Sequence, residues 1–103
     1  MTTSDLDTDP CVIHVEVTDE RLSVRLMDGR TISVPLEWYP RLVHGSPKER
    51  LRYELGGGGH GIHWPDLDED ISIENLLAGR RSSESERSLE KWLHRREANA
   101  KRP

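Results

Sequence analysis

Residues 12–36 read VIHVEVTDERLSVRLMDGRTISVPL, and their alternation decides the fold class. Ile13, Val15 and Val17 alternate with His14, Glu16 and Thr18. A period of two puts the apolar set on one face of a half-buried strand. Asp19-Glu20 makes a turn, and Leu22, Val24 and Leu26 then alternate with Ser23, Arg25 and Met27. Asp28-Gly29 is a two-residue hairpin signal, because a type I′ turn needs positive φ at both central positions. Ile32, Val34 and Leu36 supply a third set, and Pro35 places its strand end or an edge. The stretch therefore predicts a three-stranded antiparallel meander.

Downstream, the pattern changes to helices and turns. Glu37 to Leu42 reads as a compact connection with one helical turn. Ser46-Pro47-Lys48-Glu49 has the capping-box spacing with proline at the first helical position. Leu51 and Leu55 are four apart and share a face of the predicted helix, which the glycine run Gly56–Gly59 stops. Ile62-His63-Trp64 predicts a short fourth strand joining the sheet. Pro65 opens a turn, and Ser72 caps a short helix over 73–78 closed by Gly79. After a polar link, residues 84–99 predict a helix with Leu89, Trp92, Leu93 and Arg96 on one face. That apolar stripe leaves two readings open: packing on its own domain, or a homodimer face. The expected fold is α+β: the meander plus a fourth strand, packed with two short helices and a C-terminal amphipathic helix. The expected organisation is a flexible arm over 1–11, a compact domain over 12–79, and a basic helix and tail over 80–103.

The 103 residues fit one domain with a modest core. There is no Phe, so Val, Leu, Ile, three Trp and two Tyr carry the apolar content. The single cysteine, Cys11, rules out an internal disulfide and a multi-cysteine zinc site within one chain, and reads as an inert strand-start residue. No apolar run approaches the roughly 20 residues of a membrane span. The acidic N-terminus does not resemble a secretory signal, and a reducing cytoplasm is the simplest compartment. Residues 1–79 carry 7 basic and 15 acidic side chains, whereas 80–103 carry 8 and 4, so an acidic body precedes a basic segment. Glu84, Glu86, Glu90 and Glu97 interleave with that segment's cations as on a solvated helix face.

Functional information concentrates in Gly56 to Asp70. The glycine run follows a helix and lacks the Lys-Ser/Thr of a phosphate loop, so it reads as a helix stop and hinge. His60 and His63, followed by Asp66, Asp68 and Asp70, carry metal-ligating groups. The aspartate spacing resembles the start of a calcium loop, but Ile71 stands where that loop needs Gly and Leu77 where it needs Glu. His63 near an aspartate is a possible acid–base pair, yet no Ser or Cys sits in a recognisable nucleophile setting. Trp38 and Tyr39 are either core or, being partly exposed, interface anchors.

Three strings together resemble a small bacterial family catalogued as domain of unknown function 2442. They are Asp28-Gly29-Arg30, the run from Val34 through Glu37-Trp38-Tyr39-Pro40-Arg41 to Leu42, and Gly61-Ile62-His63-Trp64-Pro65-Asp66-Leu67-Asp68-Glu69-Asp70-Ile71. The resemblance covers about residues 12–79 and implies a compact α+β domain. It brings no enzymatic activity, catalytic residue, metal or cofactor. Family members resemble one component of two-component cassettes encoded beside another small protein, which implies an antitoxin-like partner binder. Some members append a helix-turn-helix; here one helix follows Gly79, too short for that motif.

These readings converge on a non-enzymatic protein-binding module. Its expected docking residues are Trp38, Tyr39, Arg41, His63, Trp64, Asp66, Asp68 and Asp70, with the acidic stretch pairing with basic groups on a small cognate protein. One alternative is a metal-dependent enzyme using His60, His63, Asp66 and Asp68. A second is nucleic-acid binding through Arg80, Arg81, Arg87, Lys91, Arg95 and Arg96.

Overall fold

The structure, a computed structural model, describes residues 11–100; the arm expected over 1–11 lies outside them except for Cys11. Strands β1 (Val12–Val17), β2 (Arg21–Leu26) and β3 (Thr31–Pro35) form the antiparallel meander in the order β1-β2-β3. A 3₁₀ turn (Leu36–Trp38) leads into α1 (Pro40–Val43) and α2 (Pro47–Leu51). A second antiparallel sheet, β4 (Glu54–Gly56), β5 (Gly61–Trp64) and β6 (Glu69–Ser72), follows in the order β4-β5-β6. Helices α3 (Ile73–Leu77) and α4 (Glu86–Ala100) complete the α+β fold.

Two details of the meander differ from simple alternation. The β1–β2 register slips between Val12 and His14, where Val12 faces Leu26 and His14 faces Arg25. This bulge adds one residue to β1 and resets its phase. Val12 and Val15 thus enter the core, while Ile13 is 49% exposed. The β2–β3 turn is a three-residue loop, Met27–Gly29. The Leu26 amide donates to the Arg30 carbonyl at 2.8 Å, and the Gly29 amide to the Leu26 carbonyl at 3.0 Å. Only Gly29 has positive φ there, at +97°, as in a type I turn with a glycine bulge rather than type I′.

The expected strand over 62–64 exists as β5, but it is the centre of the second sheet and not a fourth member of the first. Its partner β4 occupies the segment expected to be helical up to Leu55. The Ser46 capping box is present as read, with Glu49 N–H donating to Ser46 Oγ and Ser46 N–H donating to Glu49 Oε1. The helix nevertheless ends at Leu51, which is 78% exposed. Arg50 explains the stop. Its guanidinium donates to the Leu42 and Val43 carbonyls and to Asp19, and its own carbonyl accepts from Trp64 Nε1 at 3.1 Å. That carbonyl, tied to the core indole, turns the chain outward into β4.

The glycine run is therefore a hairpin loop, not a helix stop or hinge. Gly57, Gly58 and Gly59 all have positive φ, which L side chains adopt only with strain. Gly59 has a second constraint. Its carbonyl accepts from Val12 N–H at 2.8 Å, joining the two sheets, and a Cβ would lie 3.2 Å from Val12 backbone atoms.

One core spans both sheets. Leu22, Val24 and Leu26 from the meander meet Leu36, Leu42, Ile62, Trp64 and Leu67. Trp64 is fully buried. Removing an indole from water takes away roughly 200 Å² and is worth on the order of 5 kcal/mol. Helix α4 packs on this domain: Trp92 joins the core, flanked by Leu89 and Leu93. Among the described residues no helix is long and apolar enough to cross a membrane.

Candidate functional site

The site is organised by Arg41, at the start of α1. Pro40 presets the first turn, and the chain ahead of it is anchored by Tyr39, whose hydroxyl donates to the Arg80 carbonyl at 3.0 Å. The Arg41 side chain is only 13% exposed. Its Nε donates to both Glu84 oxygens, at 2.9 and 3.0 Å, and Nη2 also pairs with Glu84. Nη1 donates to the Asp68 carbonyl at 2.9 Å and lies 3.5 Å from the Asp68 carboxylate. The guanidinium also stacks on Trp92, 5.0 Å from its ring centroid. Glu84 is further held by the Ser88 hydroxyl at 2.8 Å. These hydrogen bonds, Arg41 first, keep the Glu84 carboxyl below its ordinary pKa.

Asp68 adopts φ +52°, the left-handed region that Asp tolerates better than most residues. That turn aims its carbonyl at Arg41 and leaves its carboxylate 79% exposed. Glu69 comes next, at the start of β6. An open cleft of about 590 Å³ lies between Asp68–Asp70 on one side and the Ser82–Ser85 segment with Ser88 on the other. Burial in this cleft raises Glu69 from 4.5 to about 7; Arg41 pulls the value down, and Glu84 and Asp70 push it up. The Asp70 backbone supports the carboxylate. Among the described residues, no side-chain hydrogen bond or ion pair closes on it.

The structure sorts the expected docking residues. Arg41, Asp68 and Asp70 meet at the cleft. Trp38 lies half-buried nearby, with the Arg81 guanidinium 5.0 Å from its ring centroid and its carbonyl accepting from Ser82 N–H. His63 faces Asp70 across the β5–β6 ladder, with Nδ1 2.7 Å from Oδ1. Two residues must be removed from the surface. Trp64 is fully buried and Tyr39 is 4% exposed, because each ring fills the core while its polar atom reaches a backbone carbonyl. Asp66 pairs instead with Arg52 at 3.1 Å.

The metal alternative does not assemble. His60 turns its Nδ1 to the Gly57 carbonyl at 2.7 Å, His63 binds Asp70, Asp66 binds Arg52 and Asp68 binds Arg41. Among the described residues no three His, Cys, Asp or Glu side chains are grouped to hold a metal ion. Glu69, Glu84 and the serines after Gly79 join the site without being among the docking residues expected from the sequence. Glu84 looked like one of four solvated helix charges, although its place at the head of an amphipathic helix was a signal.

The fold has known counterparts. A protein of unknown function from Rhodospirillum rubrum is 28% identical and superposes with a TM-score of 0.63, over 75% of this chain and 95% of its own. An uncharacterized protein from Chromobacterium violaceum, 23% identical, superposes with a TM-score of 0.61 over 71% and 69% of the two chains and shares the fold. No curated protein matches. The family model for the protein of unknown function DUF2442 matches residues 12–82, a stretch holding Arg41, Asp68, Glu69 and Asp70, and the chain belongs to that family.

Proposed function

We propose that the chain is a small, non-enzymatic protein-binding module, antitoxin-like or regulatory, that docks a cognate protein at the Arg41–Asp70 cleft. The observation that carries this reading is Glu69, a carboxyl on the cleft wall with no side-chain partner among the described residues, flanked by the exposed carboxylates of Asp68 and Asp70. A basic side chain of the partner would pair with Glu69 and let it ionise, a gain that the free protein cannot make. Arg41 is already committed to Glu84, so the cleft's unmatched charge is negative and its complement is cationic. The half-buried Trp38, whose carbonyl accepts from Ser82 N–H of the cleft wall, offers an aromatic contact beside it.

The test is affinity capture of the tagged full chain from its native host. The unsubstituted chain should retain one stoichiometric small protein, and Glu69→Gln with Asp70→Asn should lose it while keeping the fold. No stoichiometric partner, or undiminished capture by the substituted chain, sinks the reading.

A further inference from the structure

A different surface, the outer side of α4, carries its own unmatched charge. Among the described residues six Arg and Lys side chains follow Gly79, and the structure divides them. Arg96 is committed to Glu49, at 2.8 and 3.0 Å, and stacks on Trp92. Arg80 donates to Asn75, and Arg81 lies on the Trp38 ring. Arg87, Lys91 and Arg95 remain exposed. Among the described residues no side-chain hydrogen bond or ion pair reaches any of the three; Arg95 lies only near enough to Glu84 to help lower its carboxyl.

The three cations are spaced by four residues along one helix. Each step advances about 6 Å along the axis and turns about 40° around it, so they form a continuous row that slants around the helix. Like charges at this spacing oppose helix formation. Glu86 and Glu90 repeat the same pattern one residue earlier, so the helix separates its charges into parallel basic and acidic rows instead of pairing them. A solvated helix gains nothing from that separation. A linear anion with regularly spaced charges does match the basic row.

We infer that Arg87, Lys91 and Arg95 form a docking row for the phosphodiester backbone of a single-stranded nucleic acid. Arginine forks suit phosphate oxygens, and a row of three neutralises successive phosphates without reading bases. A single strand fits better than a duplex because a flexible strand can follow the row as it turns around the helix, and Glu86 and Glu90 beside the row repel a second strand. The row is separate from Glu69, so this inference and the protein-docking reading stand or fall independently.

The experiment is fluorescence anisotropy of a labelled oligothymidylate titrated with the full chain across a salt series. Three phosphate contacts at about −0.7 each predict a log–log salt slope of about −2, or roughly twentyfold weaker binding between about 50 and 200 mM salt. The triple variant Arg87→Gln, Lys91→Gln, Arg95→Gln should flatten the slope by about 2 with an unchanged circular dichroism spectrum, because all three side chains are exposed. Glu86→Gln with Glu90→Gln should tighten binding. Absence of binding at low salt, or a slope unchanged in the triple variant, overturns the inference. So does equal binding of a duplex of the same length, or equal competition by polyglutamate at matched charge.

Discussion

Glu69 makes the stability of this protein depend on pH in an unusual direction for a carboxyl. Its folded pKa, about 7, lies above the ordinary 4.5. Between those values the folded state holds a proton that the unfolded chain has released, so stability falls as pH rises through this window. Below about 4.5 Glu69 is protonated in both states and costs nothing; above about 7 the folded state carries the full penalty. The gap is worth at most about 3.5 kcal/mol at roughly 1.4 kcal/mol per pH unit. The cleft is open to water, and screening reduces this to about 1–2 kcal/mol. Glu69→Gln removes the charge and keeps the shape. The variant should match the parent at acidic pH and exceed it by about 1–2 kcal/mol at mildly alkaline pH, which for a domain this size raises the melting temperature by roughly 4–15 °C. Urea unfolding followed by tryptophan fluorescence at a series of pH values reads the difference, and other carboxylates cancel between the two proteins. A gap independent of pH, or a Gln variant less stable than the parent above neutrality, would refute the reasoning.

Three further outcomes are expected. Breaking the Arg41–Glu84 pair with Arg41→Ala should cost on the order of 3 kcal/mol, because Glu84 is left largely buried without its cation; a double-mutant cycle with Glu84→Gln should return a coupling of at least about 1 kcal/mol in urea unfolding. Gly59→Ala should destabilise by about 2 kcal/mol or more through its positive φ and its crowding against Val12, whereas Gly58→Ala, in open space, should cost only about 1 kcal/mol, both measured by thermal melts. Trp64→Phe should cost about 2 kcal/mol, since the Arg50 carbonyl loses its indole donor, and hydrogen exchange should report earlier opening of β4 than of the meander.

Much of the architecture was legible because it is written in local rules. Alternation in residues 12–36 specified three strands, Ser46 and Ser72 cap helices at the positions read, and Gly79 has the positive φ of a helix end. The failures have a shared cause. A bulge in β1 moves the inward phase from Ile13 to Val12, a choice made by cross-strand pairing with Leu26 and not by the strand's own pattern. Leu51 and Leu55 match a helix by spacing, yet Trp64 holds the Arg50 carbonyl and Gly61–Trp64 offers β4 a ladder. Helical spacing is a weak preference beside a buried hydrogen bond and a strand partner.

The site divides along the same line. The string from Trp38 to Arg41 and the acidic turn Asp66–Asp70 stand out in the chain as reactive or recognising residue types, and Arg41, Asp68 and Asp70 do gather at the cleft. Sequence alone cannot say that Trp64 points inward, that Asp66 leaves for Arg52, or that Glu84 crosses 43 positions to seat on Arg41. Residue type and short-range spacing determine the strands, the caps and the sign of the charge. Which carboxylate gains a cation, and which is left alone in a cleft, depends on contacts between segments distant in the chain, and only the packing of α4 against the Arg41 turn decided it for Glu69.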